Sequence, residues 1–278
     1  MKITDYAALT ALTEDNVILV DGGTTGTRKM NVIDAFLAML HQVSPENHRM
    51  VYRGKNLGNT LTAGQKAAIQ AGTFEDLWLG DYWEIGGVKW VIADFDYWYN
   101  VGDTAFSSHH LAIIPEGNLY TGKMNTASVT TGAYAGSEMY TTGLASAKAT
   151  VQSAFGTNLL THREYLTNAM TSGYPSGGAW ADSQVDLMNE PMITGAYIHA
   201  PASNGQVIPK RYTASQKQLA LFRVNPKLVN TTLSGQRISY WLRDPLSENR
   251  FARVTDYGPV TETAPSLEYG VRPIFAIG

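Results

Sequence analysis

The chain contains no cysteine among its 278 residues, which removes disulfides, thiolate metal ligands, a cysteine nucleophile and thiol redox chemistry together. Charge is also scarce. Lys and Arg number 21 and Asp and Glu 24, so the formal net charge is −3, and charged residues make up 16% of the chain, against roughly 25% in ordinary globular proteins. That balance argues against a phosphate-backbone binder, which needs a basic face. Low charge with 10% aromatic residues is the opposite of a disordered composition. No apolar run approaches the ~18 residues of a membrane span, and Met1-Lys2-Ile3-Thr4-Asp5 opens without the apolar segment of a secretory leader. A G-x-S-x-G elbow, a P-loop and a G-x-G-x-x-G turn after a strand are missing. The expectation is a non-enzyme with no cofactor, no metal, no nucleic-acid partner and no membrane insertion.

What is present divides into a short leader and a long body. Val17-Ile18-Leu19-Val20 before Asp21-Gly22-Gly23 reads as a strand entering a turn. The stretch Gly22 to Lys29 looks phosphate-like but lacks a GK[ST] ending, and a glycine-rich turn explains it. Val32, Ile33, Phe36, Leu37, Leu40 and Val43 recur at helical spacing, predicting an amphipathic helix over Asn31 to Val43. Its apolar stripe is wide for so small a module and suits packing on another chain or on the main domain. Ser44-Pro45-Glu46-Asn47 breaks the helix, so residues 1–48 read as an attachment or oligomerisation module and 49–278 as the main domain.

In the body, Thr62-Ala63-Gly64-Gln65 fits a capping box. Gly86-Gly87 between Asp81–Ile85 and Val88–Ile92 predicts a hairpin, and Leu111 to Pro115 a further strand. A helix is expected over Leu144 to Phe155 and another from Thr161 through Tyr165, Leu166 and Met170. Ser172 to Trp180 reads as loop, and Leu219 to Val224 as a buried strand. The C-terminal part reads as three strands, Ile238–Arg243, Phe251–Val254 and Gly270–Phe275, separated by polar loops. The fold class is therefore α+β.

Candidate chemistry is sparse. Asp94 and Asp96 alternate onto one strand face, with Asp103 nearby, but their order does not make an EF-hand loop. His109 and His110 are adjacent and so point to opposite faces, and His162 and His199 lack an H-x-x-x-H partner. Trp78, Tyr82, Trp83, Trp90, Tyr97, Trp98 and Tyr99 crowd one segment. Most should be core, while a few could stack on a sugar. More telling is the polar run near the C-terminus, interrupted by Phe251, Ala252 and Val254. It supplies the candidate ligand-binding residues Asp244, Ser247, Glu248, Asn249, Arg250, Arg253, Thr255, Asp256, Tyr257, Thr261, Thr263, Ser266 and Glu268. Mixed polar and aromatic side chains on a rigid scaffold suit adaptable recognition.

The framework around that run carries a resemblance. Gly80-Asp81-Tyr82-Trp83 and Trp90-Val91-Ile92-Ala93, with Tyr240-Trp241-Leu242-Arg243 and Gly270-Val271-Arg272-Pro273-Ile274-Phe275, resemble the C-type-lectin-like fold. The version is the one shared by formylglycine-generating enzymes and the variable proteins of diversity-generating retroelements. The likeness spans roughly Arg53 to Gly278, and the first fifty residues resemble attachment modules of phage tail and baseplate proteins. The copper-binding cysteines of the enzymes are absent. Asn189-Glu190-Pro191 reverses the calcium motif of sugar-binding lectins, and no Trp-Asn-Asp follows. The resemblance thus implies a virion tail-tip or fibre protein, assembled in the host cytoplasm and acting outside the cell. It would be a homotrimer beside other tail proteins, gripping a host-surface protein or glycan through a segment open to retroelement diversification. The alternatives are a glycan-active tail enzyme using Asp94, Asp96, Asp103 or Glu164, and a purely structural baseplate or decoration protein.

Overall fold

A computed structural model describes residues 17–21, 27–43, 45–199, 217–258 and 260–278. The chain divides into two compact units, Met1–Asn47 and His48–Gly278. In the first, β1 (Val17–Asp21) pairs antiparallel with β2 (Thr27–Asn31), bringing Val17 opposite Asn31. Residues 22–26, which include most of the glycine-rich stretch, lie outside the described residues, as do Met1 to Asp5 and Ser44. The Asn31 side chain then accepts the Ile33 N–H at 2.8 Å and starts α1 (Val32–Val43), as the helical spacing predicts. Leu37 is buried, yet Phe36 and Met39 stay 54% and 58% exposed, so α1 keeps apolar side chains in solvent.

The second unit is α+β. A short helix, α2 (Ala63–Gln70), begins at a complete capping box: Thr62 Oγ1 accepts the Gln65 N–H, and the Gln65 side chain accepts the Thr62 N–H. The hairpin of β3 (Tyr82–Ile85) and β4 (Val88–Phe95) closes at Gly86 and Gly87, both at positive φ (63° and 76°), the geometry a two-residue turn demands. β5 (Leu111–Pro115) pairs with β4, and β6 (Tyr120–Gly122) follows. Next comes α3 (Ala145–Phe155), burying Ala147, Val151 and Phe155 at four-residue spacing. Then come β7 (Leu159–Leu160), β8 (His162–Thr171), β9 (Tyr174–Ser183), β10 (Val185–Leu187), α4 (Glu190–Thr194) and α5 (Ala220–Val224). The C-terminal part forms β11 (Tyr240–Ser247), β12 (Arg250–Val254), β13 (Val260–Thr263), β14 (Tyr269–Val271) and β15 (Pro273–Ile277).

Two sheets carry the unit. One runs β10-β15-β5-β4-β3, with β7 also paired to β15. The other runs β13-β12-β11-β14-β6, in which only the β11–β14 contact is parallel. β8 and β9 form a separate ribbon. Trp83, Trp90, Phe155 and Phe275 meet in the core, with Trp90 edge-on to Phe155 at 5.7 Å and to Phe275 at 5.5 Å. Trp78, Tyr97 and Trp98 are buried too. Of the crowded aromatics only Tyr82 and Tyr99 keep a surface, and Tyr99 stacks flat on His109 at 4.9 Å.

Four expectations are corrected. The stretch expected to be a helix from Thr161 through Met170 lies instead in the strand β8 from His162 onward. Its buried face is His162, Glu164 and Leu166, at period two. Two of those three are polar, so the alternation is invisible in hydropathy. Ser172 to Trp180 is not loop: only Ser172-Gly173 turns, at φ +52° and +79°, and Tyr174 onward is β9. Leu219 to Val224 is a short helix rather than a strand. Its apolar run is simply buried, which periodicity alone cannot assign. The expected final strand is also two strands in different sheets, β14 and β15, with Arg272 between them. Fully buried, that guanidinium donates to the Pro115, Leu228 and Val229 carbonyls at 3.0–3.1 Å and lies over the Tyr240 ring at 5.2 Å, joining both sheets.

Candidate functional site

Rigid elements bracket the polar segment. In β11, Tyr240 and Trp241 are buried; Tyr240 donates its hydroxyl to Val229 O at 2.6 Å and Trp241 its indole N–H to Gly122 O at 2.8 Å. Arg243 holds the buried Glu164 at 3.0 Å. Pro245 interrupts the ladder between β11 and β12, and the register shifts there. β12 spans five residues, so its ends lie about 13 Å apart. The candidate residues distribute between those two ends and the strand faces between them.

At one end, Glu248 and Asn249 form the β11–β12 turn, exposed, with Ser247 and Arg250 half-buried on either side. The turn is clamped from a distant loop: Thr130 donates its hydroxyl to Ser247 O at 2.7 Å and its N–H to Glu248 O at 3.0 Å. Beside it opens a groove of about 480 Å³ lined by Ser172, Gly173, Tyr174, Ile198, His199, Leu246 and Ser247. Tyr174 and Ile198 expose large apolar surface there. Ser266 pairs its hydroxyl with Ser128 at 2.8 Å, and Glu268 is exposed.

Across the strands, Arg253 lies directly opposite Thr261, both half-buried. The Arg253 guanidinium sits over the Tyr269 ring at 4.2 Å and donates to Ser239 Oγ at 3.2 Å. At the far end, Asp256, Tyr257 and Gly258 form a turn that side chains hold in place. Ser239 Oγ accepts the Asp256 N–H at 3.0 Å, while Arg237 and Asn230 donate to Asp256 O at 2.7 and 3.0 Å. Thr255 Oγ1 accepts from Tyr257 N–H and Gly258 N–H, both at 3.2 Å. From this turn Tyr257 projects, 82% exposed.

Three candidates are not on display. Asp244, Thr255 and Thr263 are all buried. Thr263 pairs with Phe251 inside the sheet, and Thr255 is occupied by its own turn. Asp244 accepts the Glu190 N–H, the first residue of α4, at 2.5 Å, and burial holds its carboxyl up at about 7. Conversely, Tyr174, Ile198, Arg237 and Ser239 belong to this surface, with buried Asn230 bonded to its turn, and none was singled out from sequence; His199, set aside there for want of an H-x-x-x-H partner, lines the groove. Tyr174 follows a Ser-Gly pair, a turn signal that points to a hairpin tip; the others carry no local mark.

The carboxylates weighed for catalysis serve structural partners. Asp94 is buried, pairs with Arg49 at 2.8 Å and accepts the N–H of Phe95 and Ala220. Asp96 meets His109 at 2.7 Å and accepts the His110 N–H, Asp103 pairs with Arg163 at 2.8 Å, and buried Glu164 accepts the Trp98 indole N–H at 2.6 Å. His110 is buried and neutral: Nδ1–H donates to Ser108 O and Nε2 accepts the Trp98 N–H, and burial pulls it down to about 3. Among the described residues, no three His, Asp or Glu converge as metal ligands, and no helix is long and apolar enough to cross a membrane.

Set beside known proteins, the chain matches no family model, no curated protein and no solved structure.

Proposed function

We propose that this chain is a virion receptor-binding protein of a phage tail tip or fibre. Its second unit would be a C-type-lectin-like scaffold whose C-terminal surface recognises a ligand on the host cell. The observation that carries the reading is Tyr257: a large aromatic held out in solvent by a turn that Asn230, Arg237, Ser239 and Thr255 immobilise. An exposed tyrosine loses contact with water only if a partner covers it. A turn already fixed gives up little conformational freedom on binding, which is how a preorganised aromatic anchor works. The second cluster, at the β11–β12 turn, adds Tyr174 and Ile198 beside polar Ser247, Glu248 and Asn249. The apolar surface of α1 suits association into a homotrimer or with other tail proteins, and several copies would multiply weak single contacts. Carboxylates bound to arginines and backbone amides favour recognition over glycan cleavage.

The test is binding of the labelled full chain to a panel of bacterial strains. We expect retention on a subset, reduced at least about fivefold by Tyr257→Ala. Retention on none, or a Tyr257→Ala chain that binds unchanged, overturns the reading. Sequencing around the gene checks diversification: a reverse transcriptase and a near-copy of the codons for Asp244 to Glu268 are expected alongside tail genes.

A further inference from the structure

We propose that Asp244 is a positioning residue of the groove: acting through Glu190, it fixes the backbone of His199 and hence the wall against which a ligand of that face must sit. This deepens the receptor-binding reading and rests on it for the identity of the ligand, but not for the linkage itself.

The linkage is a chain of two hydrogen bonds between three parts of the fold. Asp244, on β11, accepts the Glu190 N–H at 2.5 Å through Oδ2. Glu190, fully buried at the start of α4, in turn accepts the His199 N–H at 2.9 Å through Oε1. His199 and its neighbour Ile198 line the 480 Å³ groove, and so does Ser247, three residues beyond Asp244 on the same strand. One strand thus supplies one wall directly and braces the opposite wall through a carboxylate. α4 is itself fastened: the Asn189 side chain accepts the Met192 N–H, and Met188 O accepts the Arg243 N–H, so Glu190 has little room to drift. His199 and its neighbour Ile198 are both exposed, so opening of the backbone at this wall would be local.

The buried Asp244 carboxyl at the head of the brace also makes it sensitive to protonation. Charged groups on the elements packed against β11 are Asp182, Asp186, Glu190, Arg250 and Arg253, and Arg243 adjoins Asp244 on the strand itself. Burial pushes the Asp244 carboxyl up to about 7. Arg243 and the Glu190 N–H draw it down, and the Glu190 carboxylate raises it. Above that point an ionised Asp244 is the stronger acceptor for Glu190 N–H.

The experiment is amide NMR on the full chain, in a His199→Gln background so that no imidazole titrates beside the reporter. As pH rises through about 7, the Glu190 amide proton should move downfield. The residue-199 amide should follow with the same midpoint. Asp244→Asn, which keeps an acceptor oxygen but cannot ionise, should abolish both steps while preserving hydrogen-exchange protection at residue 199. Asp244→Ala should lower that protection about tenfold without a matching loss in β15. A residue-199 amide that ignores Asp244 ionisation while Glu190 responds, or a protection loss spread evenly over β15, overturns the proposal. If the alanine chain does not fold, the Asp244→Asn comparison decides alone. None of these readouts involves a ligand, so failure of cell binding leaves the brace standing, and a flat response at residue 199 removes the brace without touching Tyr257.

Discussion

His110 and Asp244 are buried ionisable groups pushed in opposite directions by the same loss of solvent. For His110 the folded value, about 3, lies below the ordinary 6.5. Its contribution to stability is therefore complete above pH 6.5 and is lost as pH falls toward 3, by up to about 1.4 kcal/mol per pH unit. The prediction is that the His110 ring protons keep one chemical shift from pH 8 to 4 in the folded chain. A His110 ring that titrates near 6.5 would contradict the hydrogen bonds assigned to it. For Asp244 the folded value, about 7, lies above the ordinary 3.8. Its protonated form contributes stability that is complete below pH 3.8 and lost as pH rises through 7. Asp244→Asn should accordingly match the natural chain near pH 4 and gain on it, by a few kcal/mol, as denaturant midpoints are compared up to pH 8.

At the scale of elements, α2 is short, eight residues, and owes its start to Thr62 and Gln65. Gln65 has a second task, because its Oε1 also accepts the Trp83 indole N–H at 3.0 Å and so ties the cap to the buried face of β3. Thr62→Ala should cost about 1 kcal/mol in chemical denaturation. Gln65→Ala should cost more, since it leaves a buried indole donor unmatched. Equal costs would mean that the Trp83 contact adds nothing. This element was legible from four letters of sequence, as was the Gly86-Gly87 hairpin, because both rest on local geometry that particular residues impose. β8 was not legible. Its inward Glu164 is held by the Trp98 indole and Arg243, and its inward His162 ring packs on Trp98 at 4.0 Å; both partners sit far away in the chain, and no local pattern reports that.

For the whole molecule, the division at Asn47 and the apolar surface of α1 bear on assembly. If α1 mediates the proposed trimer, Phe36→Asp with Met39→Asp should lower the mass measured by light scattering to that of a 30.3 kDa monomer, with the melting of the second unit unchanged. A chain that stays trimeric with both aspartates would place assembly elsewhere, and one that is monomeric without them would remove the trimer. The candidate surface belongs to this scale as well. Sequence placed the polar run between two rigid strands, and most of it does lie at or near the surface. It could not separate Asp244, Thr255 and Thr263 from their neighbours, because strand alternation and the bulge at Pro245 decide which side chains turn inward.

Composition and local pattern determined the mixed class, the absence of thiol chemistry, the caps, the glycine turn and the aromatic core, since each follows from what a residue can do with its near neighbours. Tertiary structure alone decided that Arg272 bolts two sheets together, that Tyr257 stands on a turn held from residues 230 to 239, and that the groove is walled by residues 172 to 174, 198 to 199 and 246 to 247. Those arrangements depend on contacts between segments tens of residues apart, and their energy exists only once the chain has closed on itself.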